Sequence, residues 1–455
     1  DVQSHAFDYP VEFFAEHDWI IRRPAPDADE VAAVAAMIAK ARKPMIIAGG
    51  GIHYSQATAE LEALASATGI PVAETFGGKG AIQNPGPWHC RGIGLEGTPH
   101  TNVLVREADL IISVGTRLAD FATGSQSLFD NPDVAFASIN VTEHDGLKQG
   151  ATTVVADAKR ALQALTDALA KYSVPTDWST RVSTLMSEWA AIREEALDPS
   201  TLFDQSTLEG SEPTDAVLTQ AQLIGLMQET SQAGDTIVAA AGGPPGDLQK
   251  AWDATHGRHC HLEFGFSCMG YEIPAAMGVR WANPNTDNRV MSFIGDGTFV
   301  MAPTELVTAC QENLPLTIVV AENHGYQVIR RLQMWRSGSH FGNEFRYRTG
   351  DDMVTEDHAG RLEGDYLDID IAKMAEGMGA AAVRATTADE VRSALLQARG
   401  HDGPLVIVVP TIPHANLPSA DVWWDVAPAE VSTQDWIAAK RDEYEVGLAH
   451  QKWHG

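Results

Sequence analysis

Short apolar runs recur through the first 160 residues of this sequence: PMIIAGGG (44–51), IPVAETF (70–76), ADLIISVG (108–115), VAFASINV (134–141) and TTVVAD (152–157). Each is too short for a helix. Between them lie segments with apolar residues at helical spacing, such as DEVAAVAAMIAKARK (29–43) and ATAELEALASATG (57–69), the latter closed by Gly69. Such an alternation predicts buried parallel strands with helices on both faces. After a polar stretch it begins again at TQAQLIGLMQET (219–230) and DTIVAAAGG (235–243), and it runs to PLVIVVP (404–410). The expected fold is therefore α/β, with two Rossmann-like parallel-sheet units. An aromatic arm (1–26) precedes the first unit (27–172), a linker (173–215) joins it to the second (216–415), and a Trp-rich tail (416–455) follows. The tail tryptophans are expected to pack on the chain's own surface or on a partner subunit.

One segment of the second unit carries chemistry. VMSFIGDG (290–297) reads as a buried strand ending near Asp296, TELVTACQEN (304–313) as a helix, and LTIVVAEN (316–323) as the next parallel strand, ending at Asn323. A helix of ~12 residues travels ~18 Å and a strand of ~6 residues returns ~20 Å, so both strand ends reach one edge. Asp296 and Asn323, 27 positions apart (323 minus 296), are thus expected to meet where open α/β sheets hold ligands. A carboxylate, an amide oxygen and the carbonyl of Gly325 form an all-oxygen set suited to Mg²⁺. Three protein ligands leave room for phosphate oxygens and water, so a bound diphosphate is expected. Gly295 and Gly297 let the backbone approach closely, and Thr298 is placed to donate to phosphate.

G-D-G followed by Asn at this spacing resembles the cofactor motif of thiamine diphosphate enzymes. The family usually shows Asn-Asn; here the pair is Glu322-Asn323, and only the second position is the family's metal ligand. The resemblance implies thiamine diphosphate and Mg²⁺ as cofactors. SCMGYEIPAAMGV (267–279) resembles the segment that places a bulky apolar residue under the cofactor, which makes Met269 the candidate wedge that bends thiamine's two rings together. Ordinary core packing is the alternative for this residue, since Met suits irregular gaps. AAAGGPPGDL (239–248) resembles the family's other diphosphate-contacting loop, with Gly242 and Gly243 as backbone donors.

The first unit, with AGGG (48–51) and VGTRLADFATG (114–124), resembles the middle domain of acetolactate synthase-like members. Its glycine run lacks the third glycine of a dinucleotide fingerprint, so a structural domain is expected there, and FAD belongs to the alternative reading as a carboligase. The strings DYPVEFF, HLEFGFSCMGYEI, ELVTACQE, ENHGYQVI, FGNEFRYR, GDYLDIDIAKMAEGMGA and WWDVAPAEVS resemble the branch that opens inositol-derived cyclic 1,2-diones in inositol catabolism. That likeness implies a polyhydroxylated cyclic dione as substrate, carbanion attack on it, cleavage of a ring C–C bond and hydrolytic release of an open-chain acid. His324, His261 and Glu263 are the candidates for catalysis, and Arg346 for contact with substrate hydroxyls; His324 leads because it follows the metal-ligating Asn.

In this family a carboxylate from a pyrimidine-binding domain activates the cofactor, and that domain precedes the middle one. No Glu in residues 1–26 has the strand-to-helix setting for that role. The expectation is that the domain has been trimmed, is unresolved or belongs to a separate partner chain, and that the site is assembled in an oligomer. A cofactor-holding subunit of a split enzyme is a further alternative. The formal net charge of −29 argues against nucleic acid or anionic lipid as partner. No apolar run approaches the ~18 residues of a membrane span. Four scattered cysteines without a C-x-x-C pair are expected to be reduced thiols in a cytoplasmic protein.

Overall fold

Two six-stranded sheets, in which every pairing is parallel, organise the chain. The computed structural model describes residues 2–208, 214–263, 265–285, 287–349 and 362–454. The first sheet contains β1 (Pro44–Ala48), β2 (Val72–Glu74), β3 (His89–Gly92), β4 (Leu110–Val114), β5 (Ala135–Asn140) and β6 (Thr152–Val155), in the order β3-β2-β1-β4-β5-β6. β1, β2 and β4 are buried at every residue, as a sheet covered on both faces requires. Helices Ala28–Lys40, Thr58–Thr68 and Ala158–Ala168 cover the face carrying Ile46 and Ile112. Helices Pro99–Glu107 and Thr176–Leu197 cover the face carrying Met45 and Ile111.

The glycine run after β1 has a packing explanation. A Cβ on Gly51 would lie 2.5 Å from Gly115 Cα, and Gly49 N donates to Val114 O at 2.9 Å, so the turns after β1 and β4 meet backbone to backbone.

The second sheet contains β7 (Thr236–Ala239), β8 (His259–Leu262), β9 (Val290–Gly295), β10 (Thr317–Glu322), β11 (Ala381–Arg384) and β12 (Leu405–Pro410), in the order β11-β12-β10-β9-β7-β8. β9 and β10 are neighbours, with Ala321 opposite Gly295. The connection between them differs from the single helix expected: it forms two, Asp296–Met301 and Glu305–Gln311. Pro303 lacks an N–H and disfavours helical geometry at Ala302, which adopts φ −144°, ψ 62°.

Two further segments tie the units together. Helix Thr176–Leu197, in the stretch read as a linker, buries Trp178, Val182, Leu185 and Trp189, and it packs on helices Pro99–Glu107 and Gln220–Glu229. The tail returns over the first unit: Asn102 Nδ2 donates to Ala420 O (2.8 Å), Ser127 Oγ to Trp423 O (3.1 Å) and Trp424 Nε1 to Asp120 Oδ2 (2.7 Å). Trp423 and Trp424 therefore pack on the chain's own surface. All four cysteines are free thiols. Among the described residues no helix is long and apolar enough to cross a membrane.

Candidate active site

The crossover from β9 to β10 brings Asp296 against the turn that carries Asn323 and Gly325. Asp296 is 2% exposed; its Oδ1 accepts from Gly297 N (2.7 Å), and its Oδ2 from Asn323 N (3.2 Å) and Gly325 N (3.1 Å). Burial pushes its carboxyl up to about 7, with the nearby charge of Glu322 adding to the shift while backbone amides oppose it. Among the described residues no lysine or arginine pairs with Asp296, and the side-chain amide of half-buried Asn323 makes no hydrogen bond. A buried carboxylate without a cationic partner, its strand end beside that of an unengaged Asn, fits a hard divalent cation.

Two glycines are required here. Gly325 has φ +131°, and a Cβ on it would fall 2.4 Å from Asn343 O; a Cβ on Gly297 would fall 2.8 Å from the Tyr326 ring. Nothing lies within 4 Å of the Cβ position of Gly295, which leaves the strand tip open. Thr298 is buried one turn into the following helix.

The turn after β7 makes a second contribution to this edge. Gly242 (φ +83°) precedes helix Gly243–Ala251. The N–H groups that lack a helical partner at this end belong to residues 242–245, and Pro244 and Pro245 have none, so Gly242 and Gly243 carry the free donors. Glu272, fully buried, staples this turn to the Met269 segment: Ala241 N donates to its Oε1 and Gly270 N to its Oε2, both at 3.0 Å. Burial raises its carboxyl despite those amides. Met269 is half-buried beside Gly270, whose added Cβ would touch Ala302 at 2.7 Å, so its loop abuts the helix that starts at Asp296.

The catalytic candidates fall into separate cavities. His324 (φ +65°) lines a cavity of about 220 Å³ with Asp296, Glu322 and Arg384, and its ring stacks on Tyr366 at 4.1 Å. Burial lowers its pKa. His261 and Glu263 instead line a cleft of about 1030 Å³ between the sheets, with His53, Lys79 and Tyr271. There His261 Nε2 bonds Tyr271 Oη (2.8 Å), and Glu263 accepts from Phe266 N (3.1 Å) and Cys268 N (2.8 Å). Arg346 donates to Glu344 (2.9 Å) and Gly364 O (3.0 Å) and lies over the Tyr366 ring, so its guanidinium braces the segment that covers the edge.

Comparison with known proteins shows the family to which the chain belongs. The model described as "Thiamine pyrophosphate enzyme, central domain" matches residues 31–165, and "Thiamine pyrophosphate enzyme, C-terminal TPP binding domain" matches residues 240–409. The chain is 35% identical over 450 residues to a 3D-(3,5/4)-trihydroxycyclohexane-1,2-dione hydrolase of Bacillus cereus (strain AH820), covering 96% of this chain and 68% of that protein. A protein of the same name from Clostridium botulinum (strain Alaska E43 / Type E3) is 34% identical over 445 residues, with the same coverage. The chain belongs to the thiamine pyrophosphate enzymes.

In this thiamine pyrophosphate enzyme the residues present fit the cofactor's diphosphate and its metal: one cation-free carboxylate, one unengaged amide and two free glycine N–H groups share an edge. Among the described residues no cluster of three His, Cys, Asp or Glu is found, in keeping with a donor set that has a single carboxylate. Sequence reasoning missed Glu272, and it missed the ion pair of buried Glu322 with Arg384 (2.5 Å), which occupies the position where the family usually has Asn. A lone carboxylate at the start of the apolar helix Glu272–Ala282 was the available signal for the first. The second had none, since Arg384 lies on β11.

Proposed function

We propose that this chain holds the diphosphate end of thiamine diphosphate, through Mg²⁺, in a hydrolase that opens a ring C–C bond of a polyhydroxylated cyclic 1,2-dione in inositol catabolism. The observation that carries the substrate is the likeness over 96% of the chain to hydrolases named for such a dione. When bound, the cofactor supplies a nucleophilic carbon that adds to a ketone and takes up the electron pair of the adjacent C–C bond. The chain's own residues have distinct parts. Asp296, Asn323 and the Gly325 carbonyl hold the cation, while Gly242, Gly243 and Thr298 donate to phosphate oxygens. Met269 supports the bend between the cofactor's rings. His324, kept neutral by burial, accepts a proton from substrate or water at a ring nitrogen. His261 and Glu263 serve substrate that enters from the larger cleft.

Residues 2–26 form two 3-10 turns and no strand, so the arm offers no sheet edge for an activating glutamate. The proposal places that carboxylate on a pyrimidine-binding domain, in the same polypeptide or in a partner, within an oligomer in the cytoplasm. The test is an assay of the native assembly with trihydroxycyclohexane-1,2-dione, Mg²⁺ and thiamine diphosphate in H₂¹⁸O, with intact masses of all copurifying chains. An open-chain acid carrying one ¹⁸O is expected. Retained FAD and the joining of two 2-oxo acids would instead identify a carboligase.

A further inference from the structure

Helix Gly243–Ala251 belongs to the second unit, yet its last turn is gripped from the first. Gln249 is fully buried; its Nε2 donates to Glu74 O at the end of β2 (3.0 Å), and its own carbonyl accepts from Lys79 Nζ (3.1 Å). That carbonyl is among the four that a helix leaves without an internal partner, and a cation there also complements the helix dipole. Lys79 is 3% exposed and Glu74 2%. The Glu74 carboxylate accepts from Gly80 N (3.0 Å) and Ile82 N (3.2 Å), which shapes the loop that projects Lys79. Gly92 of β3 makes room for Gln249, because a Cβ there would lie 2.3 Å from Gln249 Nε2. In the same last turn, Lys250 pairs with Glu96 of the first unit at 3.6 Å.

A buried ammonium is a costly way to dock two domains, since packed apolar side chains of similar volume do as well or better. What it adds is a defined position. The helix is a rigid rod of nine residues, and a displacement at its last turn is carried to the glycine turn at its start. We propose that Lys79 and Gln249 are positioning residues through which the first unit aims Gly242 and Gly243 at the cofactor's diphosphate. The inference rests on those glycines being the diphosphate donors. Amide-to-phosphate bonds keep their strength over only a few tenths of an ångström, so a small slip of the helix weakens both at once.

Calorimetric titration of the native protein with thiamine diphosphate and Mg²⁺, well below its melting temperature, tests this. Lys79→Met and Gln249→Met should each weaken affinity by about tenfold or more, whereas Lys79→Arg recovers part of the loss. Leu162→Ala, a core truncation in the first unit away from the latch, should lower the melting temperature without changing affinity. Gly242→Ala separates the two layers of the argument. If it binds poorly while Lys79→Met and Gln249→Met bind like the parent, the glycines hold diphosphate and the latch does not aim them. If Gly242→Ala itself binds like the parent, the diphosphate reading falls and the positioning role with it. Should Lys79→Met fail to fold, Gln249→Met decides alone.

Discussion

A carboxylate withdrawn from water without a cationic neighbour favours its proton, and Asp296 is pushed up to about 7 for that reason. A divalent cation at the same spot reverses the preference, because its charge outweighs every other local term. Asp296→Ala should therefore abolish Mg²⁺-dependent binding of thiamine diphosphate; unchanged calorimetric affinity would remove the metal assignment. Met269→Gly, one loop away, should slow exchange of the cofactor's C2 proton in the assembled enzyme more than it weakens binding. Equal exchange rates, followed by NMR in deuterated buffer, would return Met269 to ordinary packing. Residues such as Asp296 and Asn323 were legible in the sequence because one short crossover joins them, so their spacing carries their geometry. Lys79 was not: its partner Gln249 lies 170 positions away in another unit, and no periodicity links the two.

Strands that are buried on both faces announce themselves as apolar runs, and the interior strands of both sheets were readable for that reason. β3, β8 and β11, with sequences HCRG, HCHL and AAVR, sit at sheet edges and are partly exposed, so nothing selects for an apolar run there. Helix Thr176–Leu197 lies in a stretch that reads as polar, helical linker; its place in the core was hidden, because its exposed face is polar and its four buried residues are spread over more than three turns. Trp178 decides whether it is a connector or part of the first unit's core. Its ring is buried and its Nε1 donates to Pro44 O (3.0 Å) at the start of β1. Trp178→Ala should cost about 3–5 kcal/mol in urea-induced unfolding. A loss below ~0.5 kcal/mol, the range of surface substitutions, would mean the helix is merely passing by.

The two units meet at charged contacts, in a molecule whose formal charge of −29 makes each buried cation matter. Asp253 stands at that joint, clasped between Arg91 of β3 and Arg193 of helix Thr176–Leu197 (2.9 Å), with Gln228 Nε2 at 3.0 Å. Burial alone would raise its carboxyl, but Arg91 and then Arg193 overcome burial and hold it well below its ordinary value of 3.8. A depressed folded-state pKa stabilises above the unfolded value, and that contribution is lost as pH falls from about 4 toward the folded pKa. Asp253→Asn should accordingly lower stability at pH 7 by on the order of 2 kcal/mol, less than the ~3–5 of a fully buried pair because part of the side chain meets water. The gap between parent and variant should then narrow as pH drops below about 4, since the parent's carboxylate is being protonated while the amide is unaffected. A gap that stays constant down to pH 3 would mean that packing, and not the charge of Asp253, holds the units together at this point. In that case Arg91 and Arg193 would need another anion to account for their burial, and Asp253→Asn would weaken the domain joint as much in acid as at pH 7.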